Sequence, residues 1–438
     1  MQKKEELKKL VCEAIDLAQE EIIEIGEYIW NNPETGYKEH KAGKLVAEKL
    51  KSLQLPCFRN LAITGCRADL DTGKPGPVFA VLGELDSIIL PTHPAANPET
   101  GAAHACGHNI QIANLIGAAI GLTATGVTDS LAGKIAFIAV PAEEFNQTDF
   151  RLQLVKQGKI RYCGGKAEMI RLGVFDDVDA ALLVHAGSKY YAPASYNGFV
   201  MKKITFTGKA AHAGLAPEQG VNALYAANVA LSAINAQRET FRDCDNVRVH
   251  GIIEKGGDAV NVIPDNIVLE VQVRAKTPEA IMDASQKVDR AARAGAMALG
   301  TAIEIQTIPG FMPVKNYQEL ADVFADNARH FCPDLDLTLK DHRSSSSDMG
   351  DVSMIIPSLH PYSTGIEGVP HTSNYRIADK YHAYVETAKV IAMTVIDLLY
   401  DNAAECRKIA RLETPMTKES FLNFIESMSN IENCSYLQ

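Results

Sequence analysis

The run His104-Ala105-Cys106-Gly107-His108-Asn109 sets a thiol between two imidazoles, directly ahead of a segment with helical periodicity from Ile110 to Thr123. Thiolate and imidazole are good ligands for zinc and its neighbours, and Gly107 lets the backbone bend sharply enough to aim both side chains. The same run would also suit a buried thiol with hydrogen-bonded neighbours. Pro141-Ala142-Glu143-Glu144 follows an apolar segment, Lys134–Val140, that reads as a buried strand. Adjacent carboxylates at the end of such a strand are costly unless cations meet them. One could ligate a metal while the other takes a proton from water, although a solvated acidic loop is the plainer reading of the pair alone.

Two single histidines stand at similar positions, His185 after the apolar Ala180–Val184 and His371 within Val369-Pro370-His371-Thr372. Each alone reads as a structural histidine. With Cys106, His108 and Glu144 they make five ligand-competent groups on loops, and Glu143 is left over as a base. Five suits two metals that share one bridging ligand. Farther along, His212 sits in the small-residue loop Gly208–Gly214, where its ring could reach outward or serve only as a turn residue. Asn261, within Gly256–Asn261, and Arg274, at the end of a strand, could hold a substrate carboxylate through charge-assisted hydrogen bonds; a strand-end surface charge is the other reading of Arg274.

These residues need elements to place them. Helical patterns over Glu5–Trp30 and Lys38–Leu53 precede an apolar strand at Val78–Leu82, and the alternation continues through Ile110–Thr123, Lys134–Val140 and Ala180–Val184. That is α/β punctuation, in which ligands gather at the carboxyl ends of strands. Residues 198–310 change rhythm, reading strand, helix, strand, strand, helix, strand, with Pro264-Asp265-Asn266 as the turn between the middle strands. This is the split β-α-β order of a ferredoxin-like module. The expected organisation is an α/β metal-binding catalytic domain from 1–197 and 311–438, interrupted by an inserted ferredoxin-like α+β dimerisation or lid domain at 198–310. A long helix near Asp379–Tyr400 and a polar tail close the chain. The run Ser344–Ser347, followed by Asp348, has no assigned role.

With 438 residues, two domains are the better expectation. A net charge of −11 and the lack of a basic cluster argue against a nucleic-acid partner. No apolar run is long enough to span a membrane, and Met1–Glu6 lacks the apolar stretch of a signal peptide, so a cytoplasmic location is expected. Nine scattered cysteines without a CxxC pair fit reduced thiols.

The ordered set of Gly83-Glu84-Leu85-Asp86, the H-A-C-G-H-N run, P-A-E-E, the strand-end His185, G-K-A-A-H-A, G-G-D-A-V-N-V-I-P-D and the late P-H-T resembles the M20 family of peptidases and amidohydrolases. Within it the likeness is to the branch of aminobenzoyl-glutamate utilization and N-acyl-amino-acid hydrolysis, and it covers nearly the whole chain. The resemblance implies that Cys106 bridges two divalent metal ions, zinc or manganese with cobalt as a further option. His108 and His185 would complete one site, and Glu144 and His371 the other. It also implies Glu143 as general base and then acid, and Asp86 as the residue that orients a ligating side chain. His212 would reach the active site of a partner subunit in a homodimer and bond the developing oxyanion. Asn261 and Arg274 match positions that hold substrate, a small amide or dipeptide. About forty residues separate Glu144 from His185, so 145–163 reads as an insertion beside the site. A non-catalytic binding or regulatory relative is the competing reading, against which the intact Glu143 and ligand set argue.

Overall fold

The computed structural model describes residues 2–437. The strands of its two large sheets are, in chain order, β1 (Cys57–Leu61), β2 (Gly65–Asp71), β3 (Val78–Glu84), β4 (Lys134–Val140), β5 (Ala180–Leu182), β6 (Gly198–Thr207), β7 (Arg248–Ile253), β8 (Asn266–Ala275), β9 (Ala302–Pro309), β10 (Ser358–Leu359) and β11 (Asn430–Ser435). The chain divides into two compact units.

The first unit comprises the chain up to Ala194 with Lys315–Asp341 and Asp351–Lys418. Its sheet runs β1-β2-β4-β3-β5-β10. The four strands β4, β3, β5 and β10 are parallel, while β2 and β1 close one side antiparallel. Every residue of β3 is buried, the near-continuous apolar run expected of a parallel strand covered on both faces. Against it lies the helix His108–Leu122, in which all residues but Ile120 are buried. A helix with no polar face must be central, and this one packs against the helices Gln2–Leu17, Gln19–Trp30 and Thr387–Leu399. The single N-terminal helix expected over Glu5–Trp30 is interrupted at Ala18, where ψ is 9°.

The second unit comprises Ser195–Val314, His342–Gly350 and Glu419–Gln438. Its sheet order, β7-β8-β6-β9-β11, is antiparallel throughout, and the helices Ala223–Ala236 and Pro278–Leu299 pack on each other and on the sheet. Strands β6 to β9 have the ferredoxin-like arrangement. Thr277 caps the longer helix by accepting the N–H of Ala280, with Pro278 at its first position, as helix-start chemistry dictates. Two segments fall outside the expected insertion. The polar tail is a helix, Lys418–Met428, and a strand, β11, which pairs with β9 from Thr307↔Asn430 to Ala302↔Ser435. The serine run also joins this unit through His342–Gly350. This terminal strand, burial pattern eeieie, has little apolar alternation in the sequence because its half-buried positions are Glu432 and Cys434 while its one large apolar residue, Ile431, is exposed. Among the described residues, no helix is long and apolar enough to cross a membrane.

Candidate metal centre

The parallel strands β3, β4 and β5 end side by side, and their carboxyl ends deliver the first set of groups. Glu84 closes β3 and Asp86 follows it; Glu143 and Glu144 follow β4; His185 follows β5. His108 opens the helix His108–Leu122, and Gly107 before it takes φ +84°, a left-handed conformation that glycine adopts at no steric cost. A Cβ at Gly107 would also lie 2.3 Å from the Tyr375 hydroxyl. His371 reaches the same place from a loop, at φ +63°, with its N–H donating to Ala105 O at 2.9 Å. Such strained backbone persists where the surroundings fix it, and here a main-chain bond ties the Cys106 and His371 loops together.

Two sets of donor atoms share Cys106. Cys106, His108 and His185 form one and Cys106, Glu144 and His371 the other, with the donor atoms of each set within 4.8 Å of one another. Cys106 Sγ lies 3.5 Å from His185 Nε2, and Glu144 Oε1 lies 3.0 Å from His371 Nε2. The tautomers are set from behind. His108 Nδ1 donates to Asp86 O at 2.8 Å, and His185 Nδ1 to Ala186 O at 2.8 Å, which leaves both Nε2 atoms facing the cluster. Asp86, fully buried, places one carboxylate oxygen 3.3 Å from His108 Nδ1 and accepts the Glu144 N–H on the other at 2.9 Å. Glu143 is buried, its Oε2 3.8 Å from His108 Nε2.

The electrostatics of the cluster are those of a site built for cations. Burial and Glu144 push the Cys106 thiol up, yet His185 and His108 outweigh them and bring it down to about 6. Glu144 pulls His371 up to about 11. Burial would lower His108, but Glu84 and Cys106 hold it well above the usual imidazole range, and Cys106 raises His185 against its own burial. Thiolate and carboxylate thus face imidazoles whose protonated forms they favour. Two buried atoms, His108 Nε2 and Glu144 Oε1, make no well-aligned hydrogen bond although charged neighbours stand 3.0–3.1 Å away. Thiol, imidazole and carboxylate groups converging on one place fit a divalent metal once the imidazoles give up their protons.

Four further residues, which sequence reasoning did not assign to the site, surround the cluster. Glu84 and Lys166 form a fully buried ion pair at 2.6 Å, and Gln111 Nε2 donates to the second Glu84 oxygen at 2.8 Å. Burial would raise Glu84, but Lys166 and His108 hold it well below the usual carboxylate range. His360 stands edge-on to His185, ring centroids 5.7 Å apart, with Nδ1 donating to Leu183 O; burial pushes it down to about 3, so it is neutral. Glu84 lies in the Gly83–Asp86 motif and is legible as a carboxylate ending a buried strand, whereas Lys166, between Gly165 and Ala167, carries no local signal. His104, flanking the cluster, is likewise pushed down to about 3 by burial.

The remaining expected residues belong to the second unit. His212 is exposed, and its Nδ1 accepts the N–H groups of Gly214 and Leu215 at 3.2 and 3.0 Å, which leaves Nε2–H as an outward donor. The loop of the exposed Asn261 is bound to it, Ala213 N donating to Asn261 O at 2.9 Å. Arg274 lies over the Phe199 ring and donates to Ser346 Oγ at 3.1 Å and Gln272 Oε1 at 2.8 Å, which gives the serine run a task. The register separates these groups. Thr207, at the His212 end of β6, faces Asn266, whereas Phe199, at its other end, faces Arg274. One chain therefore does not bring His212 and Asn261 together with Arg274.

Comparison with known proteins agrees with this architecture. Residues 196–298 match the peptidase dimerisation domain of the M20 peptidases. The Xaa-Arg dipeptidase of Mus musculus is 28% identical over 91% of this chain and 90% of its own. A p-aminobenzoyl-glutamate hydrolase chain of Escherichia coli K12 is 27% identical over 68% of this chain and 60% of its own. A crystal structure of a dinuclear metal binding peptidase from the M20 family of Bacillus subtilis superposes with a TM-score of 0.64 at 20% identity, covering 88% of this chain and 99% of that one. Over most of its length the chain is thus similar to peptidases and amide hydrolases of the M20 type, and it shares their mixed α/β fold with a dimerisation domain.

Proposed function

We propose that this protein hydrolyses the amide or peptide bond of a small N-acyl amino acid, aminobenzoyl-glutamate-like compound or dipeptide, with water activated between two divalent metal ions. The observation that carries the proposal is the pair of three-donor sets meeting at Cys106, with Glu143 beside them. Cys106 would bridge, His108 and His185 would complete one site, and Glu144 and His371 the other. Zinc or manganese suits this mixed thiolate, imidazole and carboxylate set, with cobalt a workable substitute. Two such ions, when bound, supply Lewis-acid polarisation of the scissile carbonyl and acidify the attacking water.

The chain's own residues do the rest. Glu143 takes the proton from water as it attacks and hands it to the departing amine nitrogen. Asp86 holds His108 by its Nδ1 and Glu144 by its N–H, so one side chain registers a ligand of each site. His212, with its Nε2–H outward, donates to the developing oxyanion, while Asn261 and Arg274 hold the substrate's carbonyl and carboxylate. The register within the second unit favours a shared site. From Asn266 to Arg274 an extended strand spans roughly 26 Å, too far for one dipeptide-sized substrate to touch both ends. A homodimer in which His212 and Asn261 come from the partner copy removes that difficulty, and the match to a dimerisation domain supports it. Nine free thiols suit the reducing cytoplasm.

Release of free amine from a panel of acyl-amino acids, aminobenzoyl-glutamate and dipeptides, by protein stripped of metal and then reloaded, tests the reading. Metal-restored release from at least one class is the expected result. A panel untouched by the loaded protein would favour a silent binding relative.

A further inference from the structure

The segment 145–163 folds into the helix Thr148–Lys156 and turns Arg151 inward, to 1% exposure. A buried guanidinium needs acceptors for its N–H donors. Those it finds are main-chain carbonyls: Ala142 O at 3.0 Å, Cys163 O at 2.6 Å, Asn146 O at 2.8 Å, and Glu144 O. Two of them belong to the Pro141–Glu144 turn. From the other side, the fully buried Glu39 accepts the Ala142 N–H at 2.7 Å, steadied by the Thr64 hydroxyl at 2.6 Å.

Between these grips Ala142 sits at φ +58°, in the left-handed region that a side chain disfavours. Its N–H and C=O are thus each held by a different buried, ionisable side chain. The space is closed as well, since a Cβ on Gly36 would lie 2.4 Å from the Arg151 guanidinium and 3.0 Å from Ala142. Burying two ionisable groups to grip one peptide is a poor way to gain stability, because desolvation offsets the attraction. It is a good way to hold a strained residue in place. The next two residues are Glu143 and Glu144, whose carboxylates part company, Glu143 toward His108 and Glu144 toward His371.

We propose that Glu39 and Arg151 are positioning residues that clamp the Ala142 peptide in its left-handed conformation and so aim Glu143 and Glu144 in their separate directions. The proposal rests on the reading of those two carboxylates as base and ligand, and it gives the 145–163 segment its purpose. Relaxation of Ala142 to an ordinary conformation would swing both carboxylates, and misplacement by about 1 Å can cost on the order of 100-fold in rate.

The test compares wild type, Arg151→Met and Arg151→Lys by Co²⁺ titration of metal-free protein, by kcat and KM on a hydrolysed amide, and by thermal melting. For Arg151→Met the second Co²⁺ equivalent should bind at least about tenfold more weakly and kcat fall on the order of 100-fold, with KM within a few-fold. Arg151→Lys keeps the charge but offers three donors to four carbonyls, and should show a smaller loss in the same two readouts. It serves as the test if the methionine variant does not fold. Wild-type Co²⁺ affinity and kcat with only a lowered melting temperature would overturn the proposal, leaving Arg151 a purely structural residue. Wild type that binds no Co²⁺ would instead overturn the metal reading itself, and the proposal with it.

Discussion

The Nδ1–H of His108 donates to the main-chain carbonyl of Asp86 at 2.8 Å, and this bond fixes which ring nitrogen faces the Cys106 cluster. The ring is therefore turned for ligation by the backbone that follows β3, before any metal arrives. What stands in the way is a proton, not a geometry.

Metal uptake should accordingly release protons. His371 is held up to about 11 by Glu144, so at pH 7 it is an imidazolium that must lose its proton to ligate. Cys106, brought down to about 6, is already largely thiolate at that pH and contributes little. Apparent metal affinity therefore rises with pH across the neutral range, about tenfold per pH unit for each proton displaced. Calorimetric titration in buffers of different ionisation enthalpy should show net release of at least one proton. A heat independent of the buffer would contradict this charge pattern.

Glu143→Gln should retain both metals yet lose turnover by roughly 100- to 10,000-fold, because the amide matches the carboxylate in shape but cannot accept a proton from water. Steady-state kinetics and metal content, measured on the same preparation, check it. Activity within a few-fold of wild type would assign the proton transfer elsewhere.

The buried pair of Glu84 and Lys166 bears on stability. Removing one partner leaves an uncompensated charge in the protein interior, at a cost of about 3–5 kcal/mol. Lys166→Met should lose about that much in denaturant unfolding, and adding Glu84→Gln should return part of it. Unchanged stability in the single variant would mean that Glu84 takes up a proton without penalty.

Much of this site could be read from residue order. Glu143, Glu144 and His185 are legible as candidates because they follow apolar runs that end at one edge of a parallel sheet, while Cys106 and His108 stand out by type just ahead of a helical segment and His371 only by joining them. Lys166, Arg151 and Glu39 are not, since a charged residue in a helical segment reads as solvent-facing until the fold buries it. The terminal strand β11 was missed for a related reason. Its partner β9 is more than a hundred residues earlier, and pairing at that distance leaves no local pattern. Arg274 read correctly as a strand-end residue, but its separation from His212 along one sheet is a matter of register, which only the structure supplies.

That separation makes the shared site testable by mixing. His212→Ala chains and Glu143→Gln chains should each be nearly inactive, and subunit exchange between them should restore activity, because a heterodimer holds one site with both residues intact. A mixture no more active than its parents, with exchange confirmed by mass-tagged chains, would place His212 within its own chain's chemistry or outside it.

Whether two metal ions and Glu143 act together on one amide bond is tested most directly by titrating metal-free protein with Mn²⁺ or Zn²⁺ while following amine release from a hydrolysed substrate of the panel. Activity should rise to a plateau at two equivalents per chain, with Cys106→Ala abolishing the plateau. Full activity in metal-free protein, or saturation with Cys106→Ala unimpaired, would contradict the two-metal reading.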